Sequence, residues 1–163
     1  MHDGDILEWY FQDGTIDQLH AHHRDCYGAS AASHLCSIIE GLFGPYPSGI
    51  GFEILNVYPN FPLLWRNTEV WIRITLPLKG YFQYIWYFDS LENTIKVTTT
   101  SVSGTLGHFR LRVPHTNIKR VLWNRSPLDF SVYQLHTDYF IEFTHPLDGG
   151  KIIVEPSKTT NLK

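Results

Sequence analysis

The sequence predicts a mainly β protein, an antiparallel β-sandwich preceded by a short helical segment. Aromatic residues make up 15% of the 163 residues, with 5 Trp, 9 Tyr and 10 Phe against 1 Met, and such residues are favoured in strands. From about residue 51, short alternating or β-branched runs recur between Gly, Pro, Asn and Asp, which is typical of a sandwich. One segment before these runs has helical periodicity.

That segment predicts a helix over residues 29–43. Leu35, Ile38, Ile39 and Leu42 recur at the spacing of one helix face, and glycines followed by prolines end the segment. Small neighbours and a single acidic residue predict that the helix is mostly buried. Because one amphipathic helix cannot bury both of its sides alone, it packs on the sandwich or needs further helices that this sequence lacks.

The strands follow in order. Residues 69–76 alternate, with aliphatic side chains on one face and Trp71, Arg73 and Thr75 on the other. Residues 80–88 are continuously aromatic, which suits a strand that is buried on both faces, or on one face with a ligand on the other. Residues 121–127 read as strand, turn and strand, and an Asp-Gly-Gly turn at 148–150 precedes the last strand. The other predicted strands are 94–102, 109–113, 118–123, 130–133, 139–143 and 152–154.

The composition changes near residue 44, and we therefore expect a helical segment at 1–47, a sandwich at 48–156 and a flexible tail at 157–163. No signal peptide is visible, which predicts a cytoplasmic protein if Met1 is the natural start. Cys26 and Cys36 are expected to be free thiols.

Charge and motifs exclude several classes of function. The net charge of −3 argues against a non-specific nucleic-acid binder, and no apolar stretch is long enough to span a membrane. No phosphate loop or dinucleotide-binding glycine pattern appears, so no cofactor is expected.

The order of motifs resembles a known arrangement. The helix segment GASAASHLCSIIEGLFG at 28–44 and the following GFEILNVYPNFPLLW at 51–65 resemble the end of the catalytic domain in glycosidases of the six-hairpin (α/α toroid) superfamily, such as α-L-rhamnosidases and certain α-L-fucosidases. FRLRVP at 109–114 with VLWNRSPL at 121–128 is similar to a hairpin of their C-terminal sandwich, although Arg125 stands where Gly is usual. YFIEF and GKIIV near the end are similar to their last two strands.

The resemblance implies that the chain is the C-terminal portion of a glycoside hydrolase-like enzyme, inactive alone because the catalytic acid lies earlier in those families. Its expected partners are a carbohydrate or the remaining part of a larger enzyme. The catalytic residues stay unassigned, because no two carboxyl groups with the separation that glycoside hydrolysis needs can be named.

Seven residues are candidates for substrate binding. The loop before the helix holds a cluster whose side chains would hydrogen-bond sugar hydroxyls: His20, His22, His23, Arg24 and Asp25. In rhamnosidase-like members a histidine placed like His34 lines the sugar pocket. Trp71 lies on the polar face of its strand, where an exposed ring would stack on a sugar.

Two alternatives remain open. The chain would be a stand-alone sandwich that binds a partner or forms an oligomer through its helical segment. It would otherwise be a cupin-like metal-dependent enzyme that uses the cluster of residues 20–26, with His34 and Cys36 as further ligands. We expect no metal site, because only one cluster of ligand types is obvious.

Overall fold

The computed structural model describes residues 33–48 and 50–157. Residues 33–36 are α-helical, and the π-helical segment Ser37–Phe43 continues them. A single 3₁₀ turn, Ile50–Phe52, lies between the first two strands. Nine strands occur in the described ranges: β1 Pro45–Ser48, β2 Ile54–Val57, β3 Glu69–Leu76, β4 Gly80–Asp89, β5 Thr94–Val113, β6 Ile118–Trp123, β7 Ser126–Leu128, β8 Ser131–Leu135 and β9 Asp138–Pro156. The predicted mainly β class is confirmed.

The strands form two layers that share β5 and β9. In layer A, β3 and β4 pair with the first half of β5, which pairs with the second half of β9, followed by β6 and β7. In layer B, β1 and β2 pair with the second half of β5, which pairs with the first half of β9 and then β8. The β2–β5 pair is parallel, whereas the prediction was a wholly antiparallel sandwich.

An aromatic core lies between the layers. The ring of Phe109 stacks on Phe143 at 5.0 Å between centroids and meets the edge of Trp123 at 5.8 Å. Phe61 packs against Trp86 at 5.2 Å. The aromatic excess of the sequence therefore serves mainly to fill the core, where each large ring removes much apolar surface from water.

Strand β4 is buried on one face only. Of the two alternatives that the sequence left open, burial on both faces is therefore wrong, and a ligand on the outer face stays a prediction. Phe82, Tyr84, Trp86 and Phe88 are buried, while the residues between them are exposed or half-buried. The reason is that layer A is covered by layer B on its inner side, and no described residue covers its outer side. Strand β3 alternates as predicted, with its aliphatic residues inward.

Two pairs of predicted strands are single long strands. Residues 94–102 and 109–113 belong to β5, and residues 139–143 and 152–154 belong to β9. Gly104 and Gly149 adopt positive φ angles of 64° and 78° inside these strands. They form irregularities in the ladder, where the register shifts between Ser101 and Leu106, and do not end the strands. The predicted turn at 148–150 into a separate last strand is therefore wrong.

The hairpin between β6 and β7 was predicted correctly. Asn124 and Arg125 connect the two strands with φ angles of 49° and 73°. A two-residue connection with two positive φ values is the turn that matches strand twist, and it favours glycine at its second position. Arg125 therefore departs from the usual residue without changing the turn.

The described part of the helix is exposed, and the prediction of a mostly buried helix is wrong for it. Leu35 is 59% exposed and Ile38 is 48% exposed. Only the last turn reaches the sandwich, where Leu42 and Phe43 pack against the core. The helix extends from the sandwich edge, and most of its apolar face has no neighbour among the described residues. In these residues no helix is long and apolar enough to cross a membrane.

Candidate functional site

The outer face of layer B carries a dense cluster of titratable and aromatic side chains. On β5, His108, Arg110 and Arg112 alternate with buried apolar residues, because successive side chains of a strand point to opposite faces. The register places Glu142 of β9 opposite Arg110, and Asn56 of β2 beside His108. The sharing of β5 by both layers thus brings residues from three distant parts of the chain together.

Tyr58, His108 and Glu142 form a hydrogen-bonded line, which we call the Tyr–His–Glu network. The Oη of Tyr58 lies 2.7 Å from Nδ1 of His108, and Nε2 of the same ring lies 3.2 Å from Oε1 of Glu142. Asn56 places its Oδ1 3.3 Å from Nδ1. Tyr58 and Asn56 are buried, whereas His108 and Glu142 are partly open to solvent.

Tyr58 stays protonated in this network. Burial, with smaller contributions from the neighbouring Tyr46 and Glu142, raises the pKa of its hydroxyl to about 12 against the lowering effect of Arg110. The hydroxyl therefore keeps its proton at neutral pH. It lies within hydrogen-bond distance of Nδ1 of His108, and the other ring nitrogen, Nε2, faces the carboxylate of Glu142.

Two arginines lie on aromatic rings of the same face. The guanidinium carbon of Arg110 is 4.0 Å from the centroid of Tyr58, and that of Arg112 is 5.8 Å from the centroid of Phe140. Arg112 also pairs with Asp138 at 3.3 Å. Nε of each arginine is buried and has no hydrogen-bond partner among the described residues. The face thus offers cations, aromatic rings and hydrogen-bonding groups together.

The arrangement suits binding better than acid–base chemistry. Asp138 and Glu142 are its two carboxylates, and four residues of one strand separate them by about 13 Å, beyond the spacing of a glycosidase pair. Each is already engaged, with Arg112 and His108 respectively. Tyr58 is a weak acid because its pKa is raised.

The structure describes two of the seven residues that the sequence predicted for substrate binding. His34 lies on the exposed helix, and Trp71 lies on β3 at the outer face of layer A, 63% exposed. The others lie outside the described residues: His20, His22, His23, Arg24 and Asp25. Cys36 is a free, exposed thiol, and no group of three metal-ligand side chains occurs within residues 33–48 and 50–157.

The Tyr–His–Glu network and Arg110 were not predicted. The alternation of His108, Arg110 and Arg112 with apolar residues is the signal that marks a polar outer face. The partners Tyr58 and Glu142 lie 50 and 34 positions away from His108, and only the sheet register identifies them.

No protein-family model matches this chain, and no curated protein matches it in sequence. Among solved structures it is similar to an alpha-L-rhamnosidase from Dictyoglumus thermophilum, with a TM-score of 0.51 and 11% sequence identity. The match covers 70% of this chain and 12% of the rhamnosidase chain, so this protein spans a small part of that enzyme's length.

At this level of identity the likeness concerns the fold alone. The described residues form a mainly β structure of a kind that also occurs within a glycoside hydrolase. The resemblance stated from the sequence is thus supported at the level of fold.

Proposed function

We propose that this chain is the C-terminal portion of a glycoside hydrolase-like, carbohydrate-active enzyme. In this proposal the sandwich supports a catalytic domain of helical hairpins and the chain has no activity alone. The observation that carries the proposal is the exposed helix, whose apolar residues Leu35 and Ile38 are left without cover by the sandwich. The fold likeness to a rhamnosidase gives this uncovered face a natural neighbour, since a helix of this kind needs further helices against it.

The proposal is tested first on the chain alone. The purified protein is incubated with p-nitrophenyl α-L-rhamnoside and with p-nitrophenyl α-L-fucoside, and release of p-nitrophenol is measured. We expect p-nitrophenol to be released no faster than in buffer without the protein. Hydrolysis above that rate would show that the chain is an enzyme by itself and would contradict the proposal.

The second test concerns the helical domain that, in this proposal, covers Leu35 and Ile38. The coding sequence upstream of Met1 is determined, and we expect it to encode helical hairpins rich in Trp and Glu. Co-expression of that region with the chain is expected to give a stable complex, and Leu35→Ser with Ile38→Ser is expected to disrupt it. Leu91→Ser, which changes an exposed leucine of the β4–β5 turn, is the matched control. Intact complex formation by the double variant would refute the role of the helix.

The same exposed helix favours a second candidate, a stand-alone module that forms oligomers. Two copies would then cover each other's apolar helix faces. Light scattering after size-exclusion chromatography distinguishes the two candidates. A dimer that Leu35→Ser with Ile38→Ser converts to a monomer supports the module, whereas a monomer at all concentrations supports the first proposal.

A further inference from the structure

The outer face of layer A forms a shallow groove across four strands. The register places Glu69, Tyr87 and Lys96 in one row and Trp71, Ile85, Thr98 and Lys151 in the next. Six of these side chains line a cavity of about 250 Å³: Glu69, Ile85, Tyr87, Lys96, Thr98 and Lys151. Trp71 lies at the β3 end of this groove. Three inter-strand spacings, or about 14 Å, separate it from Lys151.

Trp71 offers an open aromatic surface at that end. Its side chain is 63% exposed, although a tryptophan buries much apolar area when it is packed. The neighbouring rings are already occupied, since Arg73 covers Tyr81 at 3.8 Å and Lys96 lies 5.6 Å from the centroid of Tyr87. Among the described aromatic residues of this face, Trp71 therefore remains available to stack on a ligand.

The charges of the groove differ between its two ends. Lys96 is compensated by Asp89 at 3.0 Å, and this contact lowers the pKa of Asp89. Lys151 has no carboxylate within ion-pair distance among the described residues, and neither Glu69 nor Thr98 forms a hydrogen bond with its side chain there. The groove thus presents a carboxylate acceptor near Trp71, a hydroxyl in the middle and an uncompensated ammonium group at the far end.

We propose that this groove binds a short acidic oligosaccharide. One sugar ring stacks on Trp71, its hydroxyl groups hydrogen-bond Glu69 and Thr98, and the carboxylate of a uronic acid further along the chain pairs with Lys151. A carbohydrate fits this combination because it has both apolar C–H faces and many hydroxyl groups. The inference does not require that the chain belongs to a hydrolase.

The test uses the full chain and two probes, the linear trimer of galacturonic acid and the linear trimer of galactose, measured by isothermal titration calorimetry. We expect the acidic trimer to bind more tightly and its affinity to fall with added salt, because a solvent-exposed ion pair is screened. Trp71→Ala is expected to weaken binding by about tenfold or more, because it removes the aromatic surface on which the sugar ring stacks.

Two further variants sharpen the result. Lys151→Ala should remove the preference for the acidic trimer, and Leu91→Ala, which shortens an exposed side chain on the β4–β5 turn, should leave both affinities unchanged. Circular dichroism checks that each variant is folded. Absence of binding of the acidic trimer, equal affinity for both trimers, or unchanged binding by Trp71→Ala would each overturn the inference. None of these outcomes bears on the proposal that the chain is a portion of a larger enzyme, because that proposal rests on the exposed helix.

Discussion

Gly44 lies where the helix ends, and a side chain there would overlap with the backbone at Tyr58. Its φ angle is +80°, and a Cβ built on it would lie 2.1 Å from the backbone oxygen of Tyr58. The amide of Tyr58 also donates to the carbonyl of Gly44 at 3.1 Å, so this contact cannot open without loss of a hydrogen bond. We expect Gly44→Ala to lower the free energy of unfolding by about 3 kcal/mol, from backbone strain and steric overlap together.

Gly51 provides the matched control for this prediction. Its φ angle is +68°, yet nothing lies within 4 Å of an added Cβ. Gly51→Ala should therefore cost only the backbone strain, about 1 kcal/mol. Urea denaturation of both variants separates the two contributions, and equal losses would show that the overlap at Gly44 is relieved by movement of the strand.

Tyr58 is the residue of the Tyr–His–Glu network whose removal is most informative. Tyr58→Phe deletes the hydroxyl that hydrogen-bonds Nδ1 of His108 at 2.7 Å, and we expect a loss of about 1 kcal/mol of stability at pH 7. Tyr81→Phe, which alters a half-exposed ring whose hydroxyl forms no hydrogen bond with the described residues, should change stability by less than about 0.5 kcal/mol. Unchanged stability in Tyr58→Phe would show that the network does not stabilise the fold.

The pH dependence of the same variant follows from the raised pKa of Tyr58. The ordinary value for tyrosine is 10 and the folded value is about 12, so folding favours the protonated hydroxyl. The contribution of the protonated hydroxyl to the free energy of unfolding is complete below pH 10, and it is lost as the pH rises through 12. The difference in stability between the native chain and Tyr58→Phe should therefore shrink from pH 10 to 12 in denaturation experiments. A constant difference would contradict this assignment.

At the scale of elements, one lysine holds the irregular middle of β5 in place. The ammonium group of Lys79, in the β3–β4 turn, donates to the carbonyl of Gly104 at 3.0 Å and to Oγ1 of Thr105 at 3.1 Å. These residues lie where the register with β9 shifts. We expect Lys79→Ala to lower stability by about 1–2 kcal/mol, since hydrogen bonds from charged groups are stronger than neutral ones.

Lys119→Ala is the control for that prediction, because Lys119 is exposed on β6 and its side chain forms no hydrogen bond or ion pair with the described residues. It should change stability by less than about 0.5 kcal/mol. Hydrogen exchange measured by mass spectrometry should show faster exchange at residues 101–106 in Lys79→Ala alone. Unchanged exchange there would mean that the backbone keeps this conformation without the lysine.

Periodicity could predict most elements, because alternation and helical spacing are local properties of the sequence. It could not predict that β5 and β9 continue past Gly104 and Gly149. A glycine looks the same in the sequence whether it ends a strand or forms an irregularity within it, and only the pairing partner decides. The helix illustrates the complementary limit, since periodicity identifies an apolar face at Leu35 and Ile38 but not what covers it.

The candidate site was less accessible to sequence reasoning for a related reason. Alternation could mark His108 and Arg110 as outward-facing, but the parallel pairing of β2 with β5 has no local signature. Tyr58 therefore could not be placed beside His108 before the register was known. Trp71 could be placed on an exposed face, because that prediction needs only the alternation of its own strand.

At the scale of the whole molecule, the two layers cannot separate without breaking β5 and β9. Each of these strands contributes one half to layer A and the other half to layer B. Phe109 lies in the core between them, in contact with Trp123 from layer A and Phe143 from layer B. Shared strands and a shared core together imply one cooperative unfolding unit.

This cooperativity predicts the effect of truncating the central ring. Phe109 is fully buried, and Phe109→Ala should cost about 3–5 kcal/mol because it removes contacts with both layers and leaves a cavity. Hydrogen exchange should then increase together in β4, which belongs to layer A alone, and in β2, which belongs to layer B alone. Leu106→Ala, on the same strand but 38% exposed, should have a smaller effect. Faster exchange in one layer alone would show that the layers unfold independently, despite the two strands that they share.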